Sequence, residues 1–266
     1  MSRSFFARLA AAAAAGRPFA VVTIVETEGS SPQKPGAKMI VYPDGAIEGT
    51  VGGGNIEHRL VKEAMASLAG RQAPRLLRYD LKADAGMICG GSMTAYVEPH
   101  LGSDPVLVFG CGHVCRALVP LLVSVGFDVT VVDDRSEWAD PKAFPAGIKV
   151  VCEDMLAHAA ARAALAGTYL LIVTRGHALD WKLLRIFVDR DPAYLGVMSS
   201  RGKAAELRQR LANDGVPKER IDRVHMPVGL AIGSTTPEEI AVSIAGQLIQ
   251  ERAARSGASP ATTPHE

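Results

Sequence analysis

Two glycines one residue apart, Gly110 and Gly112, follow the apolar run Val106–Phe109 and precede a helical pattern. A strand, a glycine turn and a helix in that order let the backbone approach an anionic group, and the helix start adds partial positive charge. His113 stands at the mouth of the helix, where it serves equally as a ligand contact or as the first helical residue. Asp133 lies 21 positions after Gly112, at the end of the next apolar run. An acid there can bond a ribose hydroxyl or cap its own loop. Arg135 follows it and offers a guanidinium to a phosphate. The third glycine of a dinucleotide-binding turn is missing, because Cys115 holds its place.

Other segments offer chemistry of the same kind. GTVGGGNIEHRL puts Gly52, Gly53 and Gly54 before a helix that carries Glu57. Three such glycines either present consecutive N–H groups to an anion or simply form a flexible exit from a hairpin. EGSSPQKPGAKM contains Ser30 and Ser31 with two prolines and two lysines, and GMICGG places Cys89 among glycines in an accessible turn. In TRGHALD, His177 and Asp180 either bond a ligand or cap the next helix. After the following strand, Ser199, Ser200, Arg201 and Lys203 form a polar, basic cluster. Cys111 and Cys115 are four apart but lack a second ligand pair at zinc spacing.

These residues need two kinds of scaffold. Before about residue 100 the runs FAVVTIVET, AKMIVYP, LLRYDL and SMTAYVEP read as strands around one helix over 56–69. After Asp104 the order becomes strand, helix, strand. Strands fall at VLVFG, DVTVVD, IKVV, YLLIVT and YLGVM, and helices at about 113–125, 155–166, 178–190 and 201–213. A further helix starts at Pro237, with Glu238 and Glu239 in its first turn. Near-continuous apolar strands belong to a parallel sheet covered on both faces. The expected fold is α/β: a small N-terminal α+β domain (1–100), then a Rossmann-like, doubly wound parallel-sheet domain (101–254). Gly102-Ser103-Asp104-Pro105 reads as the linker, and 255–266 as a disordered tail.

Composition narrows the function. The 266 residues are 48% hydrophobic and 21% charged, with a net charge of +1, which argues against a nucleic-acid partner. No apolar run approaches the ~20 residues a membrane span requires, and the start reads as an alanine-rich surface helix rather than an export signal. The four cysteines form no disulfide framework and read as cytoplasmic thiols.

In order, GSSPQKPGA, GTVGGGNIE, CGG, VLVFGCGHVCRAL, VTVVDDR, TRGHALD, YLGVMSSRGK and PVGLAIGSTTPEEIAVSI resemble the XdhC/CoxI family of molybdenum-cofactor accessory proteins. The resemblance spans roughly Gly29 to Ile244. It implies a chaperone rather than an enzyme, one that binds molybdenum cofactor (molybdopterin), protects it during terminal sulfuration and delivers it to apo-xanthine dehydrogenase. It also implies the molybdenum subunit of that dehydrogenase and a cysteine desulfurase as partners, and a homodimer. The cofactor-binding residues it implies are Ser30, Ser31, Gly52, Gly53, Gly54, Glu57, Cys89, Gly110, Gly112, His113, Asp133, Arg135, His177 and Asp180, in a cleft between the two halves. Cys89 is the residue expected to approach molybdenum. Two departures stand out: Cys115 replaces a small residue, and Arg175-Gly176 interrupts a segment where the family has an additional histidine. The rival readings are an NAD(P)-dependent oxidoreductase, which the second half alone would favour, and a nucleotide-sensing regulatory module.

Overall fold

The computed structural model describes residues 3–81, 83, 91–162, 165 and 167–255. The chain forms two compact units. One comprises Met1–Ser103 together with the chain from Arg252; the other is Asp104–Glu251.

The first unit runs α1 (Arg3–Ala14), β1 (Phe19–Gly29), β2 (Lys38–Val41), β3 (Ile47–Gly49), α2 (Gly54–Ala69), β4 (Arg75–Asp80) and β5 (Gly91–His100). Its strands form an antiparallel sheet in the order β3-β2-β1-β5-β4. β1 is central, and both of its faces are covered. Val22 and Ile24 pack with Ile56, Leu60 and Ala64 of α2, while Phe19 and Val21 meet Phe5 and Ala12 of α1. That is why FAVVTI is apolar without alternation. The alanine-rich start is a mostly exposed surface helix that lays Phe5 and Ala12 on the sheet. A register shift between Ile24 and Glu26 turns Val25 outward at 44% exposure, as a bulge does.

The second unit runs β6 (Asp104–Phe109), α3 (His113–Ser124), β7 (Phe127–Asp133), β8 (Lys149–Cys152), α4 (Met155–Ala161), β9 (Tyr169–Ile172) and α5 (His177–Phe187). It continues through β10 (Tyr194–Val197), α6 (Arg201–Asn213), α7 (Lys218–Asp222), β11 (Val224–His225) and α8 (Pro237–Arg255). All its strand pairs are parallel, in the order β11-β10-β9-β6-β7-β8. This is the doubly wound, Rossmann-like arrangement expected. Two apolar layers flank the sheet. Leu107, Phe109 and Ile172 pack toward residues of α4, α5 and α6, and Val106, Val108 and Val131 toward residues of α3 and α8.

Strand order reverses between β6 and β9, so a crevice opens at their carboxyl ends, the usual ligand position in such sheets. Asp104 and Pro105, expected in a linker, already belong to β6, and Asp104 is buried. Short elements had no period to betray them: β3, α7 and β11 contain three, five and two residues. Among the described residues, no helix is long and apolar enough to cross a membrane.

Candidate functional site

The glycine turn is built by steric exclusion on one side and a charge clamp on the other. Gly110 has φ +104°, and a Cβ there would lie 2.6 Å from the Val173 carbonyl oxygen and 2.9 Å from Thr174 Cα. The turn after β6 thus presses directly on the chain leaving β9, and only glycine fits. Gly112 is different. Its φ is −68° and nothing lies within 4 Å of the missing Cβ, so neither backbone nor packing requires glycine. Its absent side chain leaves a hollow at the start of α3, whose first N–H groups have no side-chain cap.

Asp133 is the clamp. Its fully buried carboxylate accepts from Cys111 N–H at 2.8 Å, Arg135 N–H at 3.1 Å, Arg135 Nε at 2.9 Å and Arg135 Nη2 at 2.8 Å. Burial by itself would raise this carboxyl. The Arg135 guanidinium and the two backbone N–H groups outweigh it and hold the group below the usual carboxylate range. Four bonds use up the lone pairs of a carboxylate. Asp133 therefore ties the ends of β6 and β7 together and has nothing left for a ribose hydroxyl. Arg135, whose guanidinium is held charged chiefly by the Asp133 hydrogen bond, is a scaffold cation with one face toward Trp138 at 5.0 Å.

Around the turn lies a cavity of 330 Å³ whose lining includes Gly112, His113, Arg135, Trp138, Thr174 and Arg175, closed on its apolar side by Met198 and Pro237. Trp138 is held by Arg116, 4.6 Å from its ring, and by the edge of the His113 ring at 5.1 Å. Arg175 reaches Asp134 at 3.2 Å, with half its side chain exposed. Thr174 donates its hydroxyl to Asp180 Oδ1 at 2.6 Å, and both residues are buried. Burial pushes the Asp180 carboxyl up, and the Thr174 hydroxyl offsets this only in part. His177 is 71% exposed, its Nδ1 3.8 Å from Asp180 Oδ2.

The cysteines near the turn do no chemistry. Cys111 and Cys115 are fully buried, and the Cys115 thiol is pushed well up, first by its hydrogen bond with Cys111 and then by burial. Thiols buried this way are closed to solvent and to any guest in the cavity. Cys115 fills the helix–strand contact that the third glycine would otherwise make close. Among the described residues, no group of three or more His, Cys, Asp or Glu side chains is placed to hold a metal ion. Cys89 lies outside the described residues.

The N-terminal glycine loop turns out to be filled by the chain itself. One carboxylate oxygen of Glu57 accepts from the Thr50 hydroxyl, from Val51 N–H at 3.1 Å and from Gly53 N–H at 3.3 Å, while Gly52 N–H bonds Thr50 Oγ1 at 3.2 Å. Of the glycine N–H groups expected to face an external anion, that of Gly53 therefore faces Glu57 and that of Gly52 faces Thr50. Gly52 (φ +136°) packs on Pro32, where a Cβ would come within 2.8 Å of Cγ. Gly53 and Gly54 have positive φ and open surroundings. Ser31 bonds the Gln33 carbonyl at 3.0 Å, and Ser30 is exposed.

The structure thus gathers Gly110, Gly112, His113, Asp133, Arg135, His177 and Asp180 at one edge of the second unit, and Ser30, Ser31, Gly52, Gly53, Gly54 and Glu57 in the first. Trp138 and Thr174 line the cavity without having been singled out from sequence, and Arg175, also in the lining, stands out in the sequence only as a departure from the family pattern. Only the position of Thr174 and Arg175, directly after an apolar strand, pointed to them.

Residues 106–248 match the family model described as the XdhC Rossmann domain, and residues 12–80 that of the XdhC and CoxI family. An uncharacterized protein of Escherichia coli K12, YqeB, is 35% identical over 238 residues, covering 88% of this chain and 43% of the relative. A protein of Bacillus subtilis 168 described as a probable xanthine dehydrogenase subunit is 28% identical over 156 residues, covering 55% of this chain and 42% of the relative. The chain thus spans under half the length of these curated relatives. A crystal structure of a xanthine dehydrogenase from Bacillus halodurans shares the fold over 97% of both chains, with TM-score 0.53 and 23% identity.

Proposed function

The chain belongs to the XdhC and CoxI family, and from that premise we propose that it is an accessory protein in the maturation of xanthine dehydrogenase. On this reading it binds molybdenum cofactor, protects it while its terminal sulfur is installed, and hands it to the molybdenum subunit of the apo-dehydrogenase. A cysteine desulfurase and a second copy of the chain are its other proposed partners. The name of the Bacillus subtilis relative supports the link to xanthine dehydrogenase.

One observation carries the binding role: the side-chain-free hollow at Gly112, where the uncapped start of α3 opens into a cavity lined by Arg175 and Trp138. The residues present fit the organic, phosphate-bearing end of the cofactor. Helix N–H groups and Arg175 would hold its phosphate, and Trp138 with Met198 and Pro237 would flank a planar ring. When bound, the cofactor supplies the redox chemistry of the enzyme that receives it. This chain's part is to orient it and limit its contact with water. The saturated carboxylate of Asp133 speaks against the oxidoreductase alternative, which needs an acid free for the adenosine ribose.

The test is anaerobic mixing with released cofactor, gel filtration, and assay of oxidised pterin fluorescence in the protein peak. Pterin should co-elute with the wild-type chain, and Gly112→Val should reduce it by filling the hollow. If no pterin accompanies the wild-type protein, the binding role fails.

A further inference from the structure

The first unit contains a cavity of 600 Å³ that the cofactor reading does not use. Its wall comes from three stretches: Phe5 and Arg8 of α1, residues 33–38 between β1 and β2, and Gly49-Thr50 at the end of β3. Arg8, Lys34 and Lys38 bring three positive charges to it, and its lining includes no carboxylate.

These cations are held in different ways. Lys38 Nζ donates to Thr23 Oγ1 at 2.7 Å, which fixes the ammonium and leaves it two further donors. Arg8 lies 3.5 Å from Glu48, a carboxylate outside the wall, and more than half its side chain is exposed. Lys34 is exposed and makes no ion pair among the described residues. The rim beside Lys38 is firm, since a Cβ at Gly49 would sit 2.6 Å from the Lys38 carbonyl oxygen and the strands close up there. Arg8 is partly neutralised by Glu48, so Lys34 and Lys38 leave the lining with a net positive charge that an anion balances. The volume falls in the small-molecule range, and Phe5 and Pro35 supply an apolar surface for an organic body.

We propose that this cavity binds a small phosphorylated organic molecule. Its phosphate is held by Arg8, Lys34 and Lys38, and its apolar part lies against Phe5 and Pro35. The guanidinium of Arg8 supplies paired donors matched to phosphate oxygens, and the lysines add point charge. The proposal stands apart from cofactor binding in the second unit.

The experiment is amide chemical-shift titration of the ¹⁵N-labelled 266-residue chain with phenyl phosphate, inorganic phosphate, phenol and a hexaglutamate peptide. Phenyl phosphate should shift the amides of Gln33, Lys34, Gly36 and Thr50 saturably, and inorganic phosphate should do so more weakly. The double variant Arg8→Gln/Lys34→Gln should weaken phenyl phosphate about tenfold or more, given the strength of charge-assisted bonds. Both side chains are exposed, and unchanged amides of β5, which belongs to the same unit but not to the cavity wall, would confirm that the variant is folded. Unsaturable shifts, or an affinity unchanged in the double variant, would overturn the proposal. Hexaglutamate acting at lower concentration than phenyl phosphate would also overturn it, in favour of an acidic protein partner.

Discussion

Asp133 shows how one side chain can look like a ligand contact and be a strut. Removing its charge in Asp133→Asn leaves the partly buried Arg135 with only the longer Asp134 contact at 4.0 Å and weakens the bond to Cys111 N–H, at a cost of roughly 2–4 kcal/mol. Urea denaturation at pH 7 measures it. The folded-state carboxyl lies below its unfolded value, so its stabilisation is complete above the unfolded pKa near ~4 and is lost as pH falls through the folded one. The gap between wild type and variant should therefore close on acidification. The two turn glycines separate in the same assay. Gly110→Ala, forced against the Val173 carbonyl at φ +104°, should cost several kcal/mol, whereas Gly112→Ala should stay within about 1 kcal/mol. Thiol accessibility offers a third check. In a Cys89→Ser background, Ellman's reagent should titrate exposed Cys152 in the native state, and Cys111 and Cys115 only after unfolding. The turn itself was legible in the sequence because only a glycine ends a buried strand this way. The clamp was not, since an acid 21 positions on serves a ribose and a neighbouring arginine equally well. Trp138 was missed because a lone aromatic in a loop carries no period.

At the scale of elements, burial on both faces made the strands readable. An apolar run such as YLLI or VLVF is ambiguous alone but decisive when it alternates with helices. Hidden from that logic were β3 and β11, too short for any pattern, and the filled state of the glycine loop before α2. Glu57 was visible as a first-turn acid, but its reach back to Val51 and Gly53 depends on a chain path that spacing does not encode. The same packing predicts a contrast in stability. Leu60→Ala, fully buried between α2 and the sheet, should cost about 2–5 kcal/mol, while Leu76→Ala, 63% exposed on β4, should stay within about 0.5 kcal/mol. Thermal and urea unfolding of both variants test it.

For the molecule as a whole, the near balance of 29 basic and 28 acidic residues leaves no general field to draw in a polyanion. Retention on a duplex-DNA column at about 0.15 M salt is therefore not expected, because such binding rests on many phosphate contacts at once. Attraction is instead local, at the start of α3 and beside Lys34. The clamp at Asp133 has a kinetic consequence there. Because four hydrogen bonds already hold the turn, an arriving anion needs no loop to fold around it, and little chain entropy is lost on capture. Association at that edge should follow a single bimolecular phase without a slow isomerisation, so the lifetime of the complex would be set almost wholly by how fast the guest departs.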